Sequence, residues 1–150
     1  MPHIYSVFQC AELNSAFNFG FKIGFKIEIY PGDTFMDLNY KIIAVDFDGT
    51  LCYSNWPELG APNTMLIDYL LQEKAAGNKL ILWTCRAGKA LTDATEWCCE
   101  QGLTFDAVND NLPEIVELYG NNSRKITCDL YIDDKSAFID SMGRIRGAGL

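Results

Sequence analysis

Two aspartates separated by a single phenylalanine follow an apolar run early in the chain. Asp46 and Asp48 lie in the stretch KIIAVDFDGTLC, which extends from Lys41 to Cys52. Residues two apart in an extended chain point to the same side, so both carboxylates are expected to face one site where the strand ends. Their mutual repulsion requires a counter-charge. Mg²⁺ would supply it, because this cation takes carboxylate, water and phosphate oxygens as ligands.

A further carboxylate is expected from Asp133 or Asp134, which follow a later apolar stretch. With a metal in place, one aspartate of the first pair would attack phosphorus, and the other would donate a proton to the leaving oxygen and then take one from water. Lys125 or Arg86, together with the Thr84 hydroxyl, would hold the transferring phosphoryl group, whose charge must be met by preorganised donors. The residue types therefore predict phosphoryl-transfer chemistry.

Several of these residues also admit plainer roles. Asp134 would bind the metal, support another ligand or cap the next turn, and Arg86 would bind substrate phosphate or pair with a surface carboxylate. Asn109 and Asp110 are expected to cap the helix that follows them. The core is expected to contain Trp83, Trp97 and the cysteines.

The elements that must position these residues alternate along the chain. From Tyr40 onward, apolar runs and helical patterns succeed one another, which is typical of strand-helix units around a mainly parallel sheet. Ligands in such folds bind beyond the carboxyl ends of the strands, where the polar candidates stand. The predicted strands cover residues 41–46, 79–85, 105–109 and 128–133. The predicted helices cover residues 64–77, with Asn63 as N-cap and Leu66, Tyr69 and Leu70 on the apolar face, and residues 89–102 and 111–120, the last with a capping-type start at Asn111.

A different pattern occupies residues 1–35. Apolar residues alternate with Asn, Gly, Lys or Glu from Phe17 to Tyr30, which predicts a half-buried strand or hairpin. This segment is either an extra β segment of the fold or an added upstream extension. The domain division is therefore an N-terminal extension at 1–35 and an α/β domain at 36–150.

Composition limits the class of protein. The chain has 150 residues, 49% of them hydrophobic, and a net charge of −8, which opposes non-specific nucleic-acid binding. No apolar run reaches the roughly 20 residues of a membrane span, and the amino terminus lacks a secretory signal pattern, so a cytoplasmic protein is expected. Six cysteines without a Cys-x-x-Cys pair, and a single His3, argue against a zinc site and favour reduced thiols.

The motifs and their order resemble those of the haloacid dehalogenase superfamily. DFDGTL at 46–51 resembles its first motif, and Thr84 at the end of LILWT resembles its second. Lys125 in SRKITCDLYIDD is similar to the third-motif lysine, and Asp133 with Asp134 is similar to the acidic fourth motif. The resemblance covers about 40–135.

The resemblance implies a Rossmann-like three-layer domain and a magnesium-dependent phosphatase. Asp46 would be the nucleophile that forms an aspartyl phosphate. Asp48 would be the general acid and base and would also give a backbone carbonyl to Mg²⁺, while Asp133 would bind the metal directly. Thr84 and Lys125 would bind the phosphoryl group. Aspartate at position 48 favours phosphate-ester hydrolysis, because dehalogenase members lack it and the ATP-driven pumps carry threonine there.

The same resemblance leaves three points open. Only 52–63 separates the first motif from its helix, so the domain is expected to be capless, as in small bacterial and phage-encoded members. Lys125 lies only a few residues before the fourth strand, which makes Lys135 an alternative phosphate ligand. An open site admits a large phosphorylated partner, and a homo-oligomer would close it over a small molecule.

Two other functions compete with the phosphatase. A signalling receiver domain also phosphorylates an aspartate in a parallel α/β fold, but its phosphorylated aspartate follows the third strand. A non-catalytic phosphate-binding module would keep the fold without turnover. No fifth core strand is evident in SAFIDSMGRIRGAGL at the carboxyl end.

Overall fold

The computed structural model describes residues 38–147, which form a mixed α/β domain with a four-stranded parallel sheet and three helices. The predictions for residues 1–35 lie outside the described residues. The parallel sheet consists of β1 (Ile42–Val45), β4 (Lys79–Leu82), β5 (Ala107–Val108) and β6 (Leu130–Ile132). The helices are α1 (Thr64–Ala75), α2 (Gly88–Glu100) and α3 (Pro113–Tyr119). Two hairpins complete the domain: β2 (Cys52–Asn55) with β3 (Glu58–Pro62), and β7 (Ala137–Ile139) with β8 (Ile145–Gly147).

Strand β1 lies inside the sheet, whose order is β5-β4-β1-β6. Val45 is the register partner of Leu82 on one side and of Ile132 on the other. All four residues of β1 are buried, because helices cover both faces of the sheet. The helices thus form the outer layers of a Rossmann-like α/β arrangement, with the carboxyl ends of all four strands at one edge.

The two faces of the sheet carry separate apolar clusters. Ile43 and Val45 pack with residues of α1 and α2, whereas Ile42 and Ala44 pack with Ile115 of α3. This alternation follows from the period-two geometry of a strand. The continuous apolar run of the sequence is therefore explained by a strand that is buried on both faces.

Helix α1 confirms one predicted cap and corrects one predicted face. The Asn63 side chain accepts a hydrogen bond from the Leu66 amide, as an N-cap does. Ile67 and Leu70 are the buried residues of the helix, while Tyr69 is 39% exposed. Placing Tyr69 on the apolar face was wrong, because the face that contacts the sheet is centred one position away.

Helix α3 begins differently from the prediction. Its N-cap is Leu112, without a side-chain cap, so the predicted caps from Asn109 and Asp110 and the capping-type start at Asn111 were wrong. Proline at the first helical position has no backbone N–H, so one fewer amide needs a hydrogen bond from a cap. The Asn111 side-chain Oδ1 instead accepts from the Thr127 amide at 2.7 Å.

The two hairpins were not predicted. The first, β2 with β3, fills the short connection between β1 and α1, and its glycine- and proline-containing sequence lacks a clear alternation. The second, β7 with β8, forms its own two-stranded sheet from the glycine-rich carboxyl-terminal stretch, in keeping with the absence of a fifth core strand among the described residues.

Cysteine placement is mixed. Cys52 and Cys98 are buried and Cys99 and Cys128 are half-buried, but Cys85 is exposed. Assigning Cys85 to the core was wrong, because β4 ends at Leu82 and Cys85 belongs to the loop beyond it. The five cysteines within 38–147 form no disulfide. Over the same range, no helix combines the length and apolar character needed to cross a bilayer.

Candidate active site

Three carboxylates meet at the carboxyl edge of the sheet. One oxygen each from Asp46, Asp133 and Asp134 lies within 4.8 Å of the other two. The cause is the parallel pairing of β1 and β6, which brings Val45 opposite Ile132 and bonds the Asp46 amide to the Ile132 carbonyl at 2.9 Å. The predicted convergence of the first and fourth strand ends is therefore present in the structure.

Thr50 ties the two sides of this acidic cluster together. Its hydroxyl donates to Asp46 Oδ2 at 3.2 Å and accepts from the Asp134 amide at 3.0 Å. The side chain is almost fully buried, with 5% exposure. The sequence predicts Thr50 only as part of the DFDGTL motif, and its position two residues after Asp48 is the feature that indicates this role.

Gly49 leaves room for Asp134. A Cβ at position 49 would lie 2.5 Å from Asp134 Oδ2, and the residue has φ of +80°. Both the close approach and the left-handed backbone conformation require glycine. The Asp-Gly-Thr sequence thus shapes the loop so that the carboxylate from β6 fits against it.

Burial and charge both act on Asp46. The pKa of its half-buried carboxyl is raised, chiefly by burial and further by the negative charges of Asp133 and Asp134. Hydrogen bonds from the Phe47 backbone and from Thr50 act in the opposite direction. The cluster therefore carries negative charge that the surrounding protein groups do not balance.

Asp48 has different partners from Asp46. Arg86 donates from Nε to Asp48 Oδ2 at 2.9 Å and from Nη2 to Oδ1 at 2.7 Å, and the Ser54 hydroxyl also donates to Oδ1. The Arg86 hydrogen bonds are the main reason that the pKa of Asp48 is lowered. The chain turns after Asp46, with the Phe47 carbonyl accepting from the Leu51 amide. The side-chain partners of the two aspartates consequently diverge.

Arg86 is an almost fully buried charge, with 1% exposure. Its guanidinium lies 4.9 Å from the ring centres of both Phe47 and Trp56, and it also donates to the Pro57 carbonyl at 3.2 Å. Of the two roles considered for Arg86, pairing with a carboxylate is the one present here, and the carboxylate is Asp48. Through Trp56 and Pro57, the β2–β3 hairpin is attached to the same group.

Thr84 follows β4 and lies at the same edge of the sheet. Its amide donates to Asn109 Oδ1 at 2.8 Å, and its hydroxyl accepts from the Arg86 amide at 3.2 Å. Asn109 has φ of +52°, a conformation that asparagine tolerates better than most residues. Asn109 therefore links the ends of β4 and β5.

The two lysine candidates differ in their surroundings. Lys135 follows the acidic pair directly, its amide donates to Asp133 Oδ1 at 2.7 Å, and its positive charge contributes to the lowered pKa of Asp48. Lys125 is exposed on the loop before β6, and Ser123 donates to its carbonyl at 2.8 Å. Both lysines thus remain candidates, and Lys135 is the one whose charge acts on Asp48.

The donor set suits a hard divalent cation. Carboxylate oxygens are the ligands that Mg²⁺ prefers, and a cation would offset the repulsion from Asp133 and Asp134 that, together with burial, raises the pKa of Asp46. Asp46, Asp133 and Asp134 would hold the metal through their side chains, whereas the Asp48 side chain is occupied by Arg86. The edge of the sheet therefore combines a candidate metal site with two aspartates whose pKa values are shifted in opposite directions, raised for Asp46 and lowered for Asp48.

A protein of solved structure is similar to this chain. No family model matches the chain, and no curated protein matches it. A solved structure, described as that of the conserved protein coded by a locus from Bacteroides thetaiotaomicron, is similar to this chain with 39% sequence identity and a TM-score of 0.58. The similarity covers 65% of this chain and 78% of that one.

Proposed function

The chain belongs to the same family as the conserved Bacteroides thetaiotaomicron protein, and from its site geometry we propose that it is a magnesium-dependent phosphate-ester hydrolase of the haloacid dehalogenase type. The observation that carries the proposal is the convergence of Asp46, Asp133 and Asp134 within 4.8 Å, beside a second aspartate, Asp48. The motif resemblance supports the same reaction class.

The proposed reaction has two half-reactions, and Asp46 is the nucleophile that carries the phosphoryl group between them. An Asp46 carboxylate oxygen attacks phosphorus, the bond between phosphorus and the ester oxygen breaks, and the departing alkoxide takes a proton from Asp48. Water then attacks the aspartyl phosphate, Asp48 accepts the proton of that water, and inorganic phosphate leaves with Asp46 restored. Mg²⁺, when bound, neutralises charge on the phosphoryl oxygens and on the acidic cluster. Thr84 and one of the two lysines contact the phosphoryl oxygens.

The hydrogen bonds around Asp48 suit its deprotonated form, which can accept a proton. Two charge-assisted hydrogen bonds from Arg86 favour the carboxylate over the carboxylic acid. Asp48 must therefore gain a proton before the first half-reaction, which requires that these bonds weaken, and it regains that proton from water in the second half-reaction. Arg86 acts on the reaction through Asp48, as a positioning residue.

Hydrolysis of a generic aryl phosphate tests the proposal. Wild-type protein should release phosphate with Mg²⁺ and lose activity in EDTA, and Asp46→Asn and Asp48→Asn should each reduce kcat by at least about 100-fold. Asp68→Asn on the exposed side of α1 is the matched control and should retain activity. After acid quenching, radiolabelled phosphate should remain on Asp46 of the wild type.

Three results would decide against this function or one of its assignments. Absence of metal-dependent turnover over a panel of phosphate esters would refute the hydrolase. Saturable phosphate binding without turnover would instead indicate a phosphate-binding module. Retention of label on Asp46→Asn would refute the assignment of Asp46 as nucleophile.

A further inference from the structure

A pocket opens beside the acidic cluster at the ends of β4 and β5. Its volume is about 350 Å³, within the range of small-molecule sites, and Trp83, Asn109 and Arg124 are among its lining residues. Trp83 follows Leu82, the register partner of Val45, and its amide donates to the Val45 carbonyl at 2.9 Å. The pocket therefore begins next to Asp46. We call it the strand-end pocket.

The far wall of the strand-end pocket is fixed by amide hydrogen bonds. Asn111, only 5% exposed, donates to Asn122 Oδ1 at 2.8 Å and to the Ser123 carbonyl at 2.9 Å. Asn122 in turn donates to Asp110 Oδ1 at 2.7 Å. These bonds hold the loop that follows α3 against the loop that follows β5. The pocket is thus formed before any ligand arrives.

Arg124 is the charged group of this wall without a protein partner. It takes part in none of the ion pairs or side-chain hydrogen bonds of residues 38–147. Asp110, the acidic residue of the pocket lining, accepts at Oδ1 from the Asn111 amide and from Asn122. In a chain with 20 acidic and 12 basic residues, an unpaired guanidinium at the rim of a pocket points to an anionic ligand.

The strand-end pocket is separate from the groups that handle the transferred phosphoryl group. Asp46, Thr84 and the candidate lysines serve that group in the proposed function, and none of them lines the pocket. A ligand that reaches Arg124 from Asp46 must therefore extend past Trp83.

We propose that the strand-end pocket binds the leaving group of the substrate and that Arg124 recognises a second oxyanion on it, either a carboxylate or a second phosphate. This inference rests on the proposed hydrolase function and adds its substrate class: phosphate monoesters of polar alcohols that carry another anionic group. Trp83 provides the apolar wall for the carbon chain, and the fork of Arg124 binds two oxygens of the oxyanion.

Three six-carbon sugar phosphates of similar size test the substrate class. All three are phosphate esters at the sixth carbon and differ at the other end of the carbon chain. Glucose phosphate has a hydroxyl-bearing carbon there, phosphogluconate has a carboxylate, and fructose bisphosphate has a second phosphate. Phosphogluconate and fructose bisphosphate, which carry a second anionic group, should each have a kcat/KM about tenfold higher than that of glucose phosphate. This is the effect expected of a pair of charge-assisted hydrogen bonds at a partly exposed site. The carboxylate and bisphosphate arms tell the two oxyanions apart.

Arg124→Met should remove most of this preference, and Arg124→Lys should restore part of it, because lysine keeps the charge without the fork. Lys41→Met is the matched control, since it removes one positive charge at the amino end of β1, the opposite edge of the sheet. Equal kcat/KM for the three esters in the wild type would overturn the inference. So would an equal loss on all three in Arg124→Met.

Calorimetry with phosphogluconate and glucose phosphate separates this inference from the hydrolase. The wild type should bind phosphogluconate about tenfold more tightly than glucose phosphate, and Arg124→Met should bind the two equally. This result would support the strand-end pocket as a binding site even when turnover is absent. Equal affinities would refute the pocket, even if both esters are hydrolysed and the proposed function holds.

Discussion

Replacing Arg86 by methionine should destabilise the domain and should also change the proton chemistry of Asp48. Methionine has a similar apolar length, so it fills much of the space between Phe47 and Trp56. It removes two charge-assisted hydrogen bonds to Asp48 and one to the Pro57 carbonyl. The variant therefore tests the electrostatic role of Arg86 with little change in packing.

The size of the effect follows from the burial of each partner. Breaking a buried ion pair by removing one partner costs about 3–5 kcal/mol. The Asp48 side chain retains 29% exposure, so water can take up part of the lost interaction. The lower end of the range is expected, about 3 kcal/mol of unfolding free energy at pH 7.

Urea unfolding measures this loss, with Arg146→Met as the matched control. The Arg146 side chain is 50% exposed in its ion pair with Asp140, and such pairs contribute about 0–1 kcal/mol. The pH dependence gives a second readout. The stability due to the lowered pKa of Asp48 is complete above its ordinary value of 3.8 and is lost as the pH falls through the lowered value.

The difference between wild type and Arg86→Met should therefore be constant near neutral pH and shrink once the pH falls below 3.8. A loss of less than about 1 kcal/mol would refute the assignment of a buried ion pair. A difference that does not change with acid would show that Arg86 acts through packing and not through Asp48.

Three further outcomes are expected. Without divalent metal, Asp46→Asn should raise Tm by roughly 2–5 °C, because burial and the neighbouring acids disfavour the ionised side chain at neutral pH; an unchanged or lower Tm in a thermal scan would contradict this electrostatic argument. Gly49→Ala should lose more than about 2 kcal/mol in urea unfolding, while Gly77→Ala, which shares a positive φ but has open space around it, should lose about 1 kcal/mol; equal losses would exclude the clash with Asp134. Asn63→Ala should cost about 1 kcal/mol through the lost N-cap of α1, and a neutral result in the same assay would contradict the cap.

The sheet and its acidic edge could be predicted because they depend on local patterns. A continuous apolar run such as that of β1 requires cover on both faces, and this requirement leads directly to parallel strands with helices between them. Parallel strands then bring Asp46 and Asp133 to the same edge. The cap at Asn63 was predictable for the same reason, since its partner lies three residues away.

The role of Arg86 could not be predicted, because it depends on contacts across long sequence separations. Asp48 lies 38 residues before Arg86 in the chain, and Pro57 lies 29 residues before it. Asn111 illustrates the same limit: its position before a helix suggested a cap, but its oxygen is used by Thr127, 16 residues later. Local rules describe what a side chain can do, and the tertiary structure selects among those options.

The position of β6 determines how robust the site is. Among residues 38–147, this three-residue strand pairs with β1 alone, and its Leu130 and Tyr131 are about 40% exposed. Short segments with few buried contacts open at a lower free energy than the core of a domain. Two of the three clustered carboxylates follow β6, so the site is lost whenever this strand opens. Amide exchange at Ile132 should therefore slow when Mg²⁺ binds, since a ligand stabilises the closed form by mass action.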